Sequence, residues 1–147
     1  MNVSEIMTKN PTCCFDTTSL RDAAQMMAMH DCGCIPVIDD DENKRPIGTI
    51  TDRDITIRSL ANGKDPMNMV VGDIMTTRPT TIGEGASFDE CFRTMEKNQI
   101  RRLLVVNNKG ECIGIVAQAD IARKAGEHET AELVKEVSIG RAGSAAG

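Results

Sequence analysis

Val3-Ser4-Glu5-Ile6-Met7-Thr8 returns 68 residues later as Val71-Gly72-Asp73-Ile74-Met75-Thr76. The same offset carries Pro11-Thr12 onto Pro79-Thr80 and Ser19-Leu20-Arg21-Asp22 onto Ser87-Phe88-Asp89-Glu90. It also carries Cys34-Ile35-Pro36-Val37-Ile38 onto Arg102-Leu103-Leu104-Val105-Val106. The offset then drops to 66, so that Gly48 matches Gly114 and Asp54 matches Asp120. The slip falls between the polar segments Asp39 to Arg45 and Asn107 to Glu111. Loops tolerate such length changes because lengthening one costs little closure entropy. A period that slips only in a turn marks a duplicated structural unit.

Each copy reads in the same order. An extended lead-in holds Pro11 or Pro79. Ser19-x-x-Asp22 and Ser87-x-x-Glu90 then form N-capping signatures. Leu20, Ala23, Ala24 and Met27 follow at i, i+3, i+4 and i+7, as do Phe88, Cys91, Phe92 and Met95, the spacing of an amphipathic helix. Two short apolar runs joined by a polar turn read as a hairpin. A second helix starts near Asp54 or Asp120. The unit is β-α-β-β-α, and the fold class is mixed α/β (α+β).

One such unit is too small to bury a good core alone, so the copies are expected to pack about a pseudo-two-fold axis. The expected boundaries are residues 1–62 for the first module and 71–125 for the second. Residues 63–70 form the linker, announced by the breakers Asn62-Gly63-Lys64-Asp65-Pro66. Thr130, Leu133, Val134 and Val137 keep helical spacing, which predicts a docking helix over 126–139. The tail 140–147 is small and Gly-rich and is expected to be disordered.

Composition narrows the function classes. The 147 residues carry a formal charge of -5 and a pI near 5.0. Nucleic-acid binding draws most of its affinity from a basic face, so it is not expected. Aromatics make up 2% (Phe15, Phe88 and Phe92), which leaves few base-stacking platforms. No apolar run approaches the ~20 residues a bilayer demands, and the N-terminus shows no apolar signal core. A cytoplasmic location is the expectation.

The segment with the most chemistry is Gly48-Thr49-Ile50-Thr51-Asp52-Arg53-Asp54, where an apolar strand hands over to a helix. Gly48 allows close backbone approach. Thr51 can donate to an anionic oxygen at the N–H-rich helix start. Asp54 can accept two hydrogen bonds from a vicinal diol such as a ribose. Arg53 can pair with a phosphate. The other reading of the same residues is a helix cap by Thr51 or Asp54.

The doubled pattern, from VxxIMT through PIGTITDRD and its second copy, resembles the CBS domain family over about residues 1–125. The resemblance implies two modules forming one intramolecular pair with two ligand clefts. Many such pairs bind AMP, ADP, ATP or S-adenosylmethionine derivatives, and many form homodimers. It implies Asp54 on the ribose hydroxyls and Thr51 near the phosphates, within the family pattern Gly-hydrophobic-x-Ser/Thr-x-x-Asp that Gly48, Thr51 and Asp54 complete. The second copy keeps Asp120 but has Ala117 for the hydroxyl and Ala119 opposite Arg53. Its cleft is therefore the weaker one. Each cleft borrows from the other module, which nominates Thr80, Thr81 and Ile82 for the Asp54 side. Arg101 and Arg102 begin the facing strand and suit a phosphate clamp. Adjacent strand residues point to opposite faces, so one of the two side chains is expected in the cleft. The counterparts on the Asp120 side, Thr12, Cys13, Cys14 and the strand from Gly33, carry no cation.

His30-Asp31-Cys32-Gly33-Cys34, with Cys13 and Cys14 able to approach, is a second constellation. Thiolate and imidazole suit zinc or a redox pair. In a reducing compartment the same six cysteines read as free buried thiols. His128 is expected to face solvent. The leading expectation is a non-enzymatic regulatory module that binds an adenine nucleotide and signals through a homodimer or an effector protein. The alternatives are a Cys/His metal or redox sensor and, on the weakest grounds, an enzyme.

Overall fold

The computed structural model describes residues 1–124 and 126. Apart from residue 126, the expected C-terminal helix, the tail and His128 lie outside the described residues. The elements run β1 (Thr8–Lys9), α1 (Leu20–His30), β2 (Cys34–Ile38), β3 (Pro46–Thr51), α2 (Asp52–Arg58), β4 (Thr76–Thr77), β5 (Thr81–Gly83), α3 (Phe88–Asn98), β6 (Arg102–Val106) and β7 (Cys112–Ala117). Helical residues 118–124 follow as α4. Short 3-10 turns at Val3–Glu5 and Val71–Asp73 head the two copies.

The caps fall where the sequence put them. Ser19 accepts a hydrogen bond from the Asp22 amide, and Ser87 accepts one from the Glu90 amide. Both helices end on left-handed residues 68 positions apart, Asp31 at φ 49° and Gln99 at φ 53°. Replacing a capping serine by alanine orphans one amide and costs about 1 kcal/mol. Ser19→Ala and Ser87→Ala should each lower the urea midpoint of the full chain by that equivalent. An unmoved midpoint in both would mean that the caps carry no stability.

The strands form two sheets, ordered β1-β7-β6-β5 and β2-β3-β4. In each, an antiparallel hairpin from one copy receives the lead-in of the other. Thr8 and Lys9 of β1 pair with Ile115 and Gly114 of β7, while Thr76 and Thr77 of β4 pair with Thr49 and Gly48 of β3. The parallel pairing of Ile82 with Val105 has its counterpart in a single bridge from Cys14 to Val37.

The exchange extends into the cores. Val71 and Ile74 are buried with Leu20, Ala23, Met27, Ile35, Val37 and Ile50 of the first copy. Val3 and Ile6 are buried with Cys91, Met95, Leu103, Val105 and Val116 of the second. The packing units are thus exchanged at their leading ends relative to the sequence copies. A third, smaller cluster joins the two: Ile38, Leu104 and Cys112, with Cys13, Phe15 and Ile115 against them. Among the described residues no helix is long and apolar enough to cross a membrane.

Candidate ligand cleft

The exchange of lead-ins fixes where a ligand could sit. β4 runs antiparallel along β3, and the chain after it, Arg78-Pro79-Thr80, lines one cleft with Thr49 and Thr51 of β3 and Asp54 of α2. There it meets the beginning of β6. The result is an open cleft of about 260 Å³. Thr49, Thr51, Asp54 and Cys34 line it from the first copy. Thr76, Arg78, Pro79, Thr80, Ile100, Arg101, Arg102 and Leu104 line it from the second.

Thr51 is the N-cap of α2. Its hydroxyl accepts from the Asp54 amide at 3.0 Å, and Asp54 Oδ2 accepts from the Thr51 amide at 3.1 Å. The capping reading of the segment is therefore realised. It leaves chemistry to spare, because a carboxylate offers about four lone-pair sites. Asp54 Oδ1 lies 3.4 Å from Arg58 Nη2. Arg58 in turn donates to the Ile74 carbonyl at 2.8 Å and to Thr76 Oγ1 at 3.0 Å. This one side chain ties the acid of the cleft to the lead-in that forms its opposite wall. The sequence reading had not singled it out.

Gly48 does not line the cleft. A Cβ there would stand 2.6 Å from the Thr76 carbonyl oxygen and 3.0 Å from Met75 Sδ. Gly48 is what lets β4 approach, so its part in the site is to hold a wall. Arg53 is exposed and borders a surface depression with Asp52, Thr56 and Ile57, away from the cleft lining. Thr80 lines the cleft as expected, whereas Thr81 and Ile82 continue into β5 beside Leu104 and Val105. Arg101 and Arg102 both border the cleft, where the strand alternation had predicted one side chain.

Arg78 is the residue that sequence reasoning missed. It takes the left-handed φ of 53°. Its counterpart 68 residues earlier, Asn10, has φ 48° and is a residue type that tolerates this region. Its one trace in the sequence is an arginine standing where the other copy has Asn10.

Cys34 sits between opposite charges. Burial pushes its thiol up to about 11, with the Arg102 guanidinium working against that shift and the Asp54 carboxylate adding to it. Arg102 and Asp54 thus act on one sulfur in opposite directions. The three arginines Arg78, Arg101 and Arg102 face a single carboxylate, Asp54, in a chain whose net charge is negative.

The second copy repeats half of this arrangement. Asp120 Oδ2 accepts from the Ala117 amide at 2.9 Å, and Oδ1 accepts from Arg123 at 2.8 Å. Ala117 has no hydroxyl to return the bond. The residue in the place of Arg102 is Cys34, and in the place of Arg78 it is Asn10. Both cations are lost.

The candidate metal set of His30, Cys32, Cys34 and Cys13 does not assemble. Among the described residues no group of three or more His, Cys, Asp or Glu is gathered around a point that could hold an ion. His30 ends α1 exposed, Cys32 is half-buried and Cys34 belongs to the cleft wall. All six cysteines are free thiols.

The profile of the CBS domain matches residues 3–60 and again 71–127. Hypoxic response protein 1 of Mycobacterium tuberculosis is 38% identical over 133 residues, 90% of this chain and 91% of that protein. A crystal structure of hypoxic response protein I with two coordinated zinc ions superposes at TM-score 0.73 and 37% identity, covering 84% of this chain and 98% of the other. A CBS domain pair solved with 5′-methylthioadenosine and S-adenosyl-L-methionine reaches 0.75 at 29% identity, covering 86% of this chain and all of the other. A CBS domain protein from Pyrobaculum aerophilum complexed with AMP reaches 0.73 at 26%, covering 82% and 89%.

Proposed function

The chain belongs to the CBS domain family, and from that membership we propose that it is a regulatory module binding a phosphorylated adenine nucleotide in the Asp54 cleft. Proteins of this build are generally regulatory rather than catalytic, and several of its solved neighbours hold AMP or S-adenosylmethionine-type ligands, while one holds zinc. The observation that carries the choice among these is the charge of the cleft. Arg78, Arg101 and Arg102 outnumber Asp54 three to one. Guanidinium groups pair with phosphate oxygens, often bidentately. S-adenosylmethionine brings a sulfonium and an ammonium against a single carboxylate, a net positive charge that suits three arginines less well than a phosphate does. In this reading Asp54 takes the ribose hydroxyls, Thr51 and the arginines take the phosphates, and Thr80 and Ile100 flank the base.

Both modules supply walls, so an occupied cleft favours one setting of the pair over others. A ligand shifts such an equilibrium only by its difference in affinity for the two states. The output passes through a homodimer. In this proposal the second copy covers the apolar groove lined by Ala24, Ala28, Ile55 and Met67. An effector protein reading that dimer completes the proposal.

Calorimetric titration of the full chain with AMP, ADP, ATP and S-adenosylmethionine tests it. The phosphorylated ligands should bind, and more tightly as phosphates are added. S-adenosylmethionine should be at least about tenfold weaker than the best of them. Arg78→Ala should cost roughly tenfold or more, the worth of a hydrogen bond to a charged group. It should also flatten the salt dependence. Failure of all four to bind below millimolar, or a preference for S-adenosylmethionine, would sink the proposal.

A further inference from the structure

The nucleotide reading leaves one chemically distinct pair unused. Cys13 lies between β1 and α1, half-buried, and packs against Ile38, Leu104 and Cys112 in the cluster that joins the two sheets. Cys112 begins β7 in the second copy and is 5% exposed. The Asn10 amide donates to the Ile113 carbonyl at 3.0 Å, which lays the lead-in to Cys13 along the strand of Cys112; the Cys13 thiol donates to the Pro11 carbonyl at 3.3 Å and the Cys112 thiol to the Gly114 carbonyl at 3.7 Å. The Cys112 amide donates to the Lys44 carbonyl at 2.8 Å, which sets the hairpin turn of the first copy beside the pair.

The other thiols differ from Cys13. Burial raises Cys14 to about 12 and Cys34 and Cys91 to about 11, and it also raises Cys32. Cys13 alone among the six is lowered, through the Cys112 hydrogen bond and then the Lys44 charge, against its burial and Asp41. A thiol that ionises more readily, can be reached from solvent and has a second thiol at hand fits the pattern of an oxidisable pair.

We propose that Cys13 and Cys112 form a peroxide-oxidisable dithiol that links the lead-in of the first module to the sheet of the second. The Cys13 thiolate attacks one oxygen of hydrogen peroxide. An S–O bond forms, the O–O bond breaks, and the hydroxide that leaves takes a proton to become water. The Cys112 thiol then gives up its proton and its sulfur attacks the Cys13 sulfenic acid. An S–S bond forms, the S–O bond breaks and a second water leaves. Two thiols lose two electrons, and one peroxide becomes two waters. Thiol reductant reverses the link by exchange. The inference stands apart from the nucleotide reading, and neither falls with the other.

The test uses the reduced full chain, hydrogen peroxide near stoichiometry, alkylation, and mass spectrometry of non-reduced peptides. Two of the six thiols should disappear into a Cys13–Cys112 crosslinked peptide that dithiothreitol releases. Cys112→Ser should stop at a Cys13 sulfenic acid trapped by dimedone. The wild-type peptide map stands on its own whether or not that variant folds. Six alkylated thiols, oxidation that leaves Cys112 free, or a dominant crosslink between another pair such as Cys32 and Cys34 would each overturn the proposal.

Discussion

Asp54→Ala should weaken nucleotide binding by roughly a hundredfold or more, while Asp120→Ala changes it little. The size follows from what the carboxylate offers. Two ribose hydroxyls donating to a charged acceptor are worth about 1.5–3 kcal/mol each, and both are lost together. The site is also shielded, since the Asp54 side chain is 14% exposed. Part of the effect could come through structure, because Asp54 caps α2 and pairs with Arg58. Asp54→Asn separates the two contributions. Its amide oxygen can still accept from the Thr51 amide, so the helix start survives while the charge goes. An affinity loss of about tenfold in Asn against a hundredfold in Ala would assign the role to the carboxylate. Titration of all three variants beside wild type checks this. Unchanged affinity in Asp54→Ala, or a larger loss in Asp120→Ala, would move the site elsewhere.

The asymmetry between the two clefts was legible because it rests on residue identity at repeat-equivalent positions. Thr51 against Ala117, and Arg102 against Cys34, can be read without coordinates. The helices and hairpins were legible for a related reason: capping serines and apolar spacing are local signals that the packing did not override. What the repeat could not show was the exchange of leading segments between cores. Val3 and Val71 are apolar in either arrangement, and their sequence does not say which core buries them. Arg78 was hidden by the same gap, because its place at the cleft depends on where β4 carries the chain. Arg53 misled in the opposite sense. It stands next to Asp54 in sequence, yet on a helix neighbours in sequence point about 100° apart, and only Asp54 turns toward the cleft. The thiol pair was partly legible. Cys13 was singled out, but its partner Cys112 comes from the other module, 99 residues along the chain.

The exchange also fixes which glycine matters most. Gly48→Ala should destabilise the chain by about 2–3 kcal/mol, lowering Tm by roughly 5–10 °C, with nucleotide affinity falling as well. The new Cβ would meet the Thr76 carbonyl at 2.6 Å, and backbone in a paired strand cannot swing aside as a side chain does. Relief requires β4 to move off β3. That displaces Thr76 and the Arg78-Pro79-Thr80 wall that follows it, and it strains the bonds from Arg58 to Ile74 and Thr76. Gly114→Ala is the built-in control. Its nearest obstacle is Met7 Sδ at 2.3 Å, the far end of a flexible side chain, with the Thr8 carbonyl further off at 3.2 Å. The methionine can re-rotamer at modest cost, so the loss should be about 1 kcal/mol, with affinity at the Asp54 cleft retained. Thermal unfolding of both variants, with titration below their transitions, measures the contrast. Equal destabilisation by the two substitutions, or full affinity in Gly48→Ala, would mean that β4 does not hold the cleft wall in place.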